Sequence, residues 1–269
     1  MSDGGEISDP IDPAVLAARG GLATFEHHAE VGSTMERARE LAIDPGCPLP
    51  AAVVADLQSL GRGQRGARWW QPPGSLAVSV VVDGGMTPSG MPPAIWSLAC
   101  GVALAEAVAA AAPGVEPLVR WPNDIEVGGR KLAGILVETT PGGRAIFGVG
   151  VNTTGVSCAA PPPLDRKIVT LPELTGGSLP RERLLVEFLP RLFALLAATA
   201  VDPEAFVARY RARCGLDGHS ITVYRGDERL SGICRGIAAD GALLLDTPAG
   251  RERVTSGSLT HPADVWRGG

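Results

Sequence analysis

The chain has 269 residues, a net charge of −5, and is 45% hydrophobic and 20% charged. That length holds a large domain with a small one, or two medium ones, and buries a full core. The negative balance excludes a protein that coats nucleic acid, which needs a clustered basic surface.

No apolar run is expected to span a bilayer, since the most apolar one, Trp96 to Ala112, is built of small residues and interrupted by Glu106. The acidic start, Met1 to Pro13, lacks the basic-then-apolar order of a signal peptide. Five cysteines (Cys47, Cys100, Cys158, Cys214, Cys234) form no C-x-x-C pair, which suits a reducing cytosol better than a disulfide scaffold or a zinc site. The expectation is a cytoplasmic protein with no membrane or nucleic-acid partner, a monomer or a homodimer. The adjacent His27 and His28 have no metal-ligand spacing and suit a strand face.

Residues 1–21 are rich in Gly, Pro and Asp and are expected to be a disordered N-terminal segment. Ala23 to Val31 reads as the first strand. Ser33-Thr34-Met35-Glu36 reads as a capping box opening a helix to about Ala42, so Ser33 has a purely structural reading as a cap. Ala51 to Leu57 is apolar enough for a buried strand. It empties into a loop from Gln58 to Trp70 in which Gly61, Gly63 and Gly66 alternate with Arg62, Arg65 and Arg68. Glycines free the backbone and guanidinium groups supply forked donors, so such a loop can close over an anion. A solvated basic loop or an RNA-binding segment has the same composition.

Ser75 to Val82 reads as another strand and Met91 to Ala112 as a long helix stopped by Pro113-Gly114. The densest chemistry follows, from Arg120 to Leu136. Asn123, Asp124 and Lys131 sit among Val, Ile and Leu, and Gly128-Gly129 supplies the positive φ angles of a two-residue hairpin. Strand alternation places Lys131 on the face of Ala133 and Ile135, projecting from an apolar row, with Gly134 leaving room for a ligand. A lysine so placed delivers a point charge with three donors; its alternative is a solvated hairpin. Ala145 to Asn152 is a Gly-spaced strand, Pro161 to Pro163 mark a surface loop, and helices are expected from Arg181 to Ala198 and from Pro203 to Arg213, the latter capped by Asp202. From Gly218 short strands (Ser220 to Tyr224, Arg229 to Ile237, Ala242 to Asp246, Glu252 to Thr255) separated by Gly-containing turns read as a small β-barrel of SH3-like length.

Taken in order, Gly32-Ser33-Thr34, Gln58 with Gly61-Arg62-Gly63-Gln64-Arg65-Gly66 and Trp69, Arg120-Trp121-Pro122-Asn123-Asp124, Lys131-Leu132-Ala133-Gly134-Ile135-Leu136 and Gly148-Val149-Gly150-Val151-Asn152 resemble the motifs of the biotin protein ligases. The resemblance runs from about residue 24 to 260. It implies an α+β fold: a mixed-sheet catalytic domain of the class II aminoacyl-tRNA synthetase type, over residues 22–215, followed by an SH3-like domain over 216–269. It implies that biotin's carboxylate attacks the α-phosphate of ATP to give biotinyl-5′-AMP, and that a lysine of a biotin carboxyl carrier protein domain takes the biotinyl group.

By the same resemblance Lys131 and Arg62 are the catalytic residues. Ser33, Thr34, Met35, Gln58, Arg62, Gly63, Gln64, Lys131 and Gly134 bind biotin. Arg65, Arg68, Trp69, Arg120, Asn123, Asp124, Lys131 and Asn152 bind ATP or the adenylate, and Asp124 holds Mg²⁺. Met35 stands where the family often has Asn, Gln64 and Ala67 where it often has Arg, and Arg120 where it often has Lys. The ending Ser256-Gly257-Ser258-Leu259-Thr260 lacks the family's frequent Glu and Arg. The residues before the first strand are too few for the operator-binding winged helix of some members, so a monofunctional ligase is expected. Two other readings share parts of the pattern: a lipoate or octanoate transferase of the same superfamily, and a biotin-binding module that has lost turnover through Gln64 and Ala67.

Overall fold

The structure is a computed structural model and describes residues 9–64, 67–87 and 91–260. Its centre is a seven-stranded mixed sheet in the order β1 (Thr24–Val31), β2 (Ala51–Gln58), β3 (Leu76–Val82), β7 (Ala145–Val151), β6 (Arg130–Thr139), β5 (Asp124–Val127) and β4 (Leu118–Arg120). Only β1 and β2 pair in parallel; every later neighbour is antiparallel.

Every residue of β3 is buried, because helices cover both faces of the sheet at its middle. On one face α2 (Thr34–Ile43) presses Met35, Ala38 and Leu41 onto Val53, Val81 and Ile146. On the other, α3 (Pro93–Ala111) lies across β4, β5 and β6, with Val119, Ile125 and Ile135 against its Gly101, and is itself covered by α5 (Arg181–Val201). A helix apolar on all sides belongs in an interior, and α3 is buried from Ile95 to Ala105 without a break. By length and composition both α3 and α5 could cross a membrane, which corrects the expectation that no run qualifies; here they pack on each other over the sheet.

The segment expected to be disordered, residues 1–21, forms part of the core from Asp9 onward, its first eight residues lying outside the described ones. Asp12 accepts a hydrogen bond from Ala14 N at 2.8 Å and caps α1 (Pro13–Gly20), which ends on Gly21 at φ 73°. Ile11 and Leu16 enter the main core, and Asp9 pairs with the buried Arg181 at 2.9 Å. Asp followed by proline is an N-cap and first-turn signal, and the segment's loop-like composition masked it.

A short helix, α4 (Leu171–Thr175), precedes α5, and α6 (Pro203–Arg211) follows it, with Asp202 accepting from Ala205 N at 3.0 Å as expected. The chain then forms a separate antiparallel sheet, β8 (Ser220–Arg225), β9 (Glu228–Ile237), β10 (Leu243–Thr247) and β11 (Gly250–Val254), in the order β11-β10-β9-β8. This is the expected SH3-like unit. It docks through the buried Trp121, whose Nε1 donates to Gly241 O at 3.2 Å.

Leu16→Ala removes a fully buried side chain from the contact between α1 and α5 and is expected to lower stability by about 2–5 kcal/mol in urea unfolding. A loss below about 1 kcal/mol would mean that α1 is not part of the cooperative core.

Candidate functional site

A cavity of about 560 Å³ opens where the β5–β6 hairpin, the loop after β2 and the chain following β11 converge. Lys131 stands in it for a reason that simple alternation misses. Glu126 pairs with Lys131 but Ile125 pairs with Ala133, so Leu132 is an extra residue, a β-bulge. Leu132 and Ala133 both turn into the core, and Lys131 comes to the side of Gly134 instead of the expected side of Ala133 and Ile135. A Cβ on Gly134 would lie 3.0 Å from Lys131 Nζ, so the glycine makes room for the lysine stem. Nζ stands 2.6 Å from Asp124 Oδ1, an ion pair, and 5.8 Å from the centroid of the Trp69 ring.

The Lys131 backbone is held from behind. Its N–H donates to Lys167 O at 2.8 Å and its carbonyl accepts from Val169 N at 3.0 Å. Asn152, expected at the nucleotide, is buried outside the cavity lining, and its Nδ2 donates to Val169 O at 3.0 Å and Lys131 O at 3.4 Å. It braces the lysine's strand, because a buried amide must spend its donors on whatever carbonyls are within reach.

The glycines of β7 receive side chains. A Cβ on Gly148 would meet Met35 Sδ at 2.6 Å, and one on Gly150 would meet the Trp69 ring at 2.5 Å. Met35 and Trp69 therefore lie flat on bare backbone as an apolar floor. The Trp69 Nε1 is buried and has no hydrogen-bond partner among the described residues.

At one end of the cavity is a polar relay. Thr34 donates through its N–H (2.9 Å) and its hydroxyl (3.1 Å) to Gln58 Oε1, and Ser79 donates to the Thr34 hydroxyl at 2.8 Å. Gln58 Nε2 donates to Gln71 Oε1 at 3.1 Å, and Gln71 Nε2 in turn reaches Ser75 O at 3.1 Å and Asp56 O at 3.2 Å. These bonds fix which way the Gln58 amide faces. Gln71 escapes sequence reading because it follows the Trp pair with no periodicity to mark it.

Ser33 lines the cavity and sits at the N-cap of α2, but its side chain makes no capping bond. The capping box is absent because Glu36 turns to Arg62, at 2.9 Å. Gly63 N donates to Ala67 O at 2.8 Å and Trp69 N to Gly61 O at 3.1 Å, closing the Gly-Arg loop back on itself. Gly63, Gln64 and Arg68 line the cavity with Arg62; Arg65 lies outside the described residues.

Arg120 Nη1 bonds Glu126 at 3.1 Å, and its Nη2 reaches Leu259 O at 3.4 Å, bringing the tail to the cavity rim. Asn123 is tied to β6 through Nδ2 to Ile135 O at 2.7 Å. Burial pushes the Glu126 carboxyl above its ordinary range, the Arg120 charge opposing and the Asp124 charge adding to the shift. No group of three or more metal-ligating side chains occurs among the described residues. Asp124 and Glu126, two apart on β5, both line the cavity beside Arg62, Arg68, Arg120, Lys131 and Arg166. A lining so rich in cations, with an apolar floor and a polar end, suits a ligand that carries phosphate, a flat ring and a hydrogen-bonding head.

Gly150→Ala is expected to push the Trp69 ring off the floor, changing the near-UV circular dichroism while the far-UV spectrum holds. An unchanged near-UV spectrum would contradict this packing.

Residues 33–152 match the Biotin/lipoate A/B protein ligase family, and residues 218–259 match the Biotin protein ligase C terminal domain. A biotin--[acetyl-CoA-carboxylase] ligase of Paracoccus denitrificans is 34% identical over 90% of this chain and 99% of its own length. The enzyme of that name from Mycobacterium tuberculosis is 29% identical over 97% of this chain and 99% of its own. Among solved structures, the biotin protein ligase of Aquifex aeolicus in complex with biotin and ATP superposes with a TM-score of 0.76 at 25% identity, covering 88% of this chain and 97% of that one. With its motifs gathered around one cavity and a relative similar along nearly its whole length, this chain belongs to the biotin protein ligase family.

Proposed function

We infer that this protein activates biotin with ATP as biotinyl-5′-AMP and transfers the biotinyl group to a lysine of a carboxylase carrier domain. The observation that carries the reading is that the Lys131 ammonium, 2.6 Å from Asp124 and 5.8 Å from the Trp69 ring centroid, lines one cavity with Thr34, Gln58, Arg62, Arg68 and Arg120. The fused ureido ring of biotin needs hydrogen-bonding partners when desolvated. Thr34, Gln58 and the Ser33 hydroxyl supply them, while Met35 and Trp69 cover apolar surface. Lipoate's dithiolane ring would leave the Ser33 hydroxyl and the second Gln58 Nε2 proton, which the relay does not use, without partners, and buried unpaired polar groups discriminate strongly. This disfavours a lipoate or octanoate enzyme.

In the first step two anions must meet. Lys131 and Arg62 offset their charge and hold the carboxylate oxygen in line with the α-phosphorus. Pyrophosphate leaves toward Arg120 and Arg68, and Trp69 lies where an adenine ring can stack. Asp124 and Glu126 fit Mg²⁺, which takes one or two carboxylates together with substrate phosphates and would lower the charge on the departing pyrophosphate. In the second step the carrier lysine attacks an already activated anhydride, and the enzyme contributes position and exclusion of water. We place the reaction in the cytosol, where carboxylases and reduced thiols are found; all five cysteines are free. The catalytic unit takes in α1 and runs to about residue 215, and the SH3-like unit follows it as far as Thr260 among the described residues.

Biotin-dependent release of pyrophosphate from ATP tests the first step. Lys131→Ala is expected to reduce it by on the order of 100-fold or more with the far-UV spectrum intact, since Nζ fills no core cavity. Near-normal release would remove Lys131 from the reaction.

Gln64 replaces a cation in the loop that covers the adenylate, and a charge-assisted hydrogen bond is worth about 1.5–3 kcal/mol. Gln64→Arg should therefore slow the dissociation of preformed biotinyl-AMP about tenfold or more. Equal rates from both proteins would mean that a neighbouring arginine already fills the role.

A further inference from the structure

Gln71 lies outside the cavity lining, in the chain between the end of β2 and the start of β3. Its Nε2 is 3.1 Å from Ser75 O, 3.2 Å from Asp56 O and 3.5 Å from Ala55 O, and its Oε1 accepts from Gln58 Nε2 at 3.1 Å. The residues that hold it are themselves fixed. Asp56 O also accepts from Gly74 N at 3.3 Å, and the Asp56 carboxylate bonds the buried Arg181 at 2.5 Å and His27 at 2.8 Å. Ser75 is fully buried, and its hydroxyl bonds the Thr154 hydroxyl at 3.0 Å. Gln71 is thus anchored to the sheet and not to the Gly-Arg loop that borders the cavity.

Backbone groups at the two ends force the direction of the whole relay. The Thr34 N–H can only donate, so the Gln58 oxygen must face it, and the Thr34 hydroxyl donates to that same oxygen. Asp56 O and Ser75 O can only accept, so the Gln71 nitrogen must face them and its oxygen must face Gln58. Were the Gln58 amide turned over, its nitrogen would meet the Thr34 N–H and its oxygen would meet the Gln71 oxygen. In the observed arrangement Thr34 uses both lone pairs of Gln58 Oε1, Gln71 takes one Nε2 proton, and one Nε2 proton remains for a ligand. Gly61 packs against the amide, since a Cβ there would lie 3.4 Å from Nε2, and Gln58 lines the cavity. Gln58 therefore offers the cavity a donor and no acceptor.

We propose that Gln71 is a positioning residue for biotin recognition, locking the Gln58 amide to the sheet so that it presents one N–H to the acceptor on the ligand's ring, the ureido carbonyl. This rests on the functional reading above and adds a residue that acts without lining the cavity. With Gln71 removed, Gln58 keeps its bonds to Thr34, but its nitrogen loses the partner that sets the angle of the remaining N–H. Ligand binding must then order that group, which weakens affinity for the ring. The arginines of the lining owe nothing to this relay, so the nucleotide is bound as before.

The test is a double-mutant cycle on the whole protein, reading biotin dissociation constants by isothermal titration. Gln71→Met keeps the length of the side chain and removes its polar atoms. It is expected to weaken biotin binding about tenfold while the KM for ATP stays within about twofold of wild type. In the Gln58→Ala background the same substitution is expected to change the biotin constant by less than about twofold, because the group it positions is gone. A purely structural role would cost the same in both backgrounds. Should Gln71→Met not fold, Gln71→Asn, one methylene too short to reach the carbonyls and Gln58 together, completes the cycle. No loss from the substitution, equal losses with and without Gln58, or an ATP KM that rises in step with the biotin constant would overturn the proposal and leave biotin ligation standing. Wild type that binds no biotin would overturn the functional reading and the proposal with it.

Discussion

The ion pair between Lys131 and Asp124 is the constraint around which the cavity is built. Both residues belong to one hairpin, yet they meet only because Leu132 is bulged into the core and turns the lysine over Gly134. The pair keeps a half-buried ammonium compensated while leaving donors for a ligand. Asn152 and the segment around Ile168 hold the lysine's backbone, so the charge is placed by buried structure and not by a mobile loop. Preorganisation of this kind is what electrostatic catalysis requires.

The rest of the site follows from economy of backbone. Gly148 and Gly150 let Met35 and Trp69 lie against β7, and the Thr34–Gln58–Gln71 relay brings Thr34 and Gln58 to the lining of the same cavity. The C-terminal sheet adds a rim, fixed by Trp121 to Gly241 and by Arg120 to Leu259. Two residues of one short motif thus tie the domains together while Asn123 and Asp124 serve the cavity. This gives Arg120-Trp121-Pro122-Asn123-Asp124 a structural reason beside its chemical one.

Much of this was legible in the sequence, since hydrophobic periodicity and Gly-Gly or Asp-Gly turns depend on neighbours along the chain. The strands of both sheets, the short edge strand β4 apart, and the long helices fell within a few residues of expectation. What escaped depends on partners far away. Helix α1 is stable only because α5 covers it, the Ser33–Glu36 box yields to the Arg62 charge, and Gln71 acquires its role from Gln58. The Lys131 face was misread because a bulge is a property of the pairing of two strands. Asn152, a motif residue, turned out to support the lysine from behind, a distinction that spacing cannot make.

The most direct measurement is the mass of a biotin carboxyl carrier domain after incubation with this protein, ATP, Mg²⁺ and biotin. The account predicts a gain of one biotinyl group on the carrier lysine, dependent on ATP and absent when lipoate replaces biotin. No gain with biotin, or an equal modification with lipoate, would contradict it.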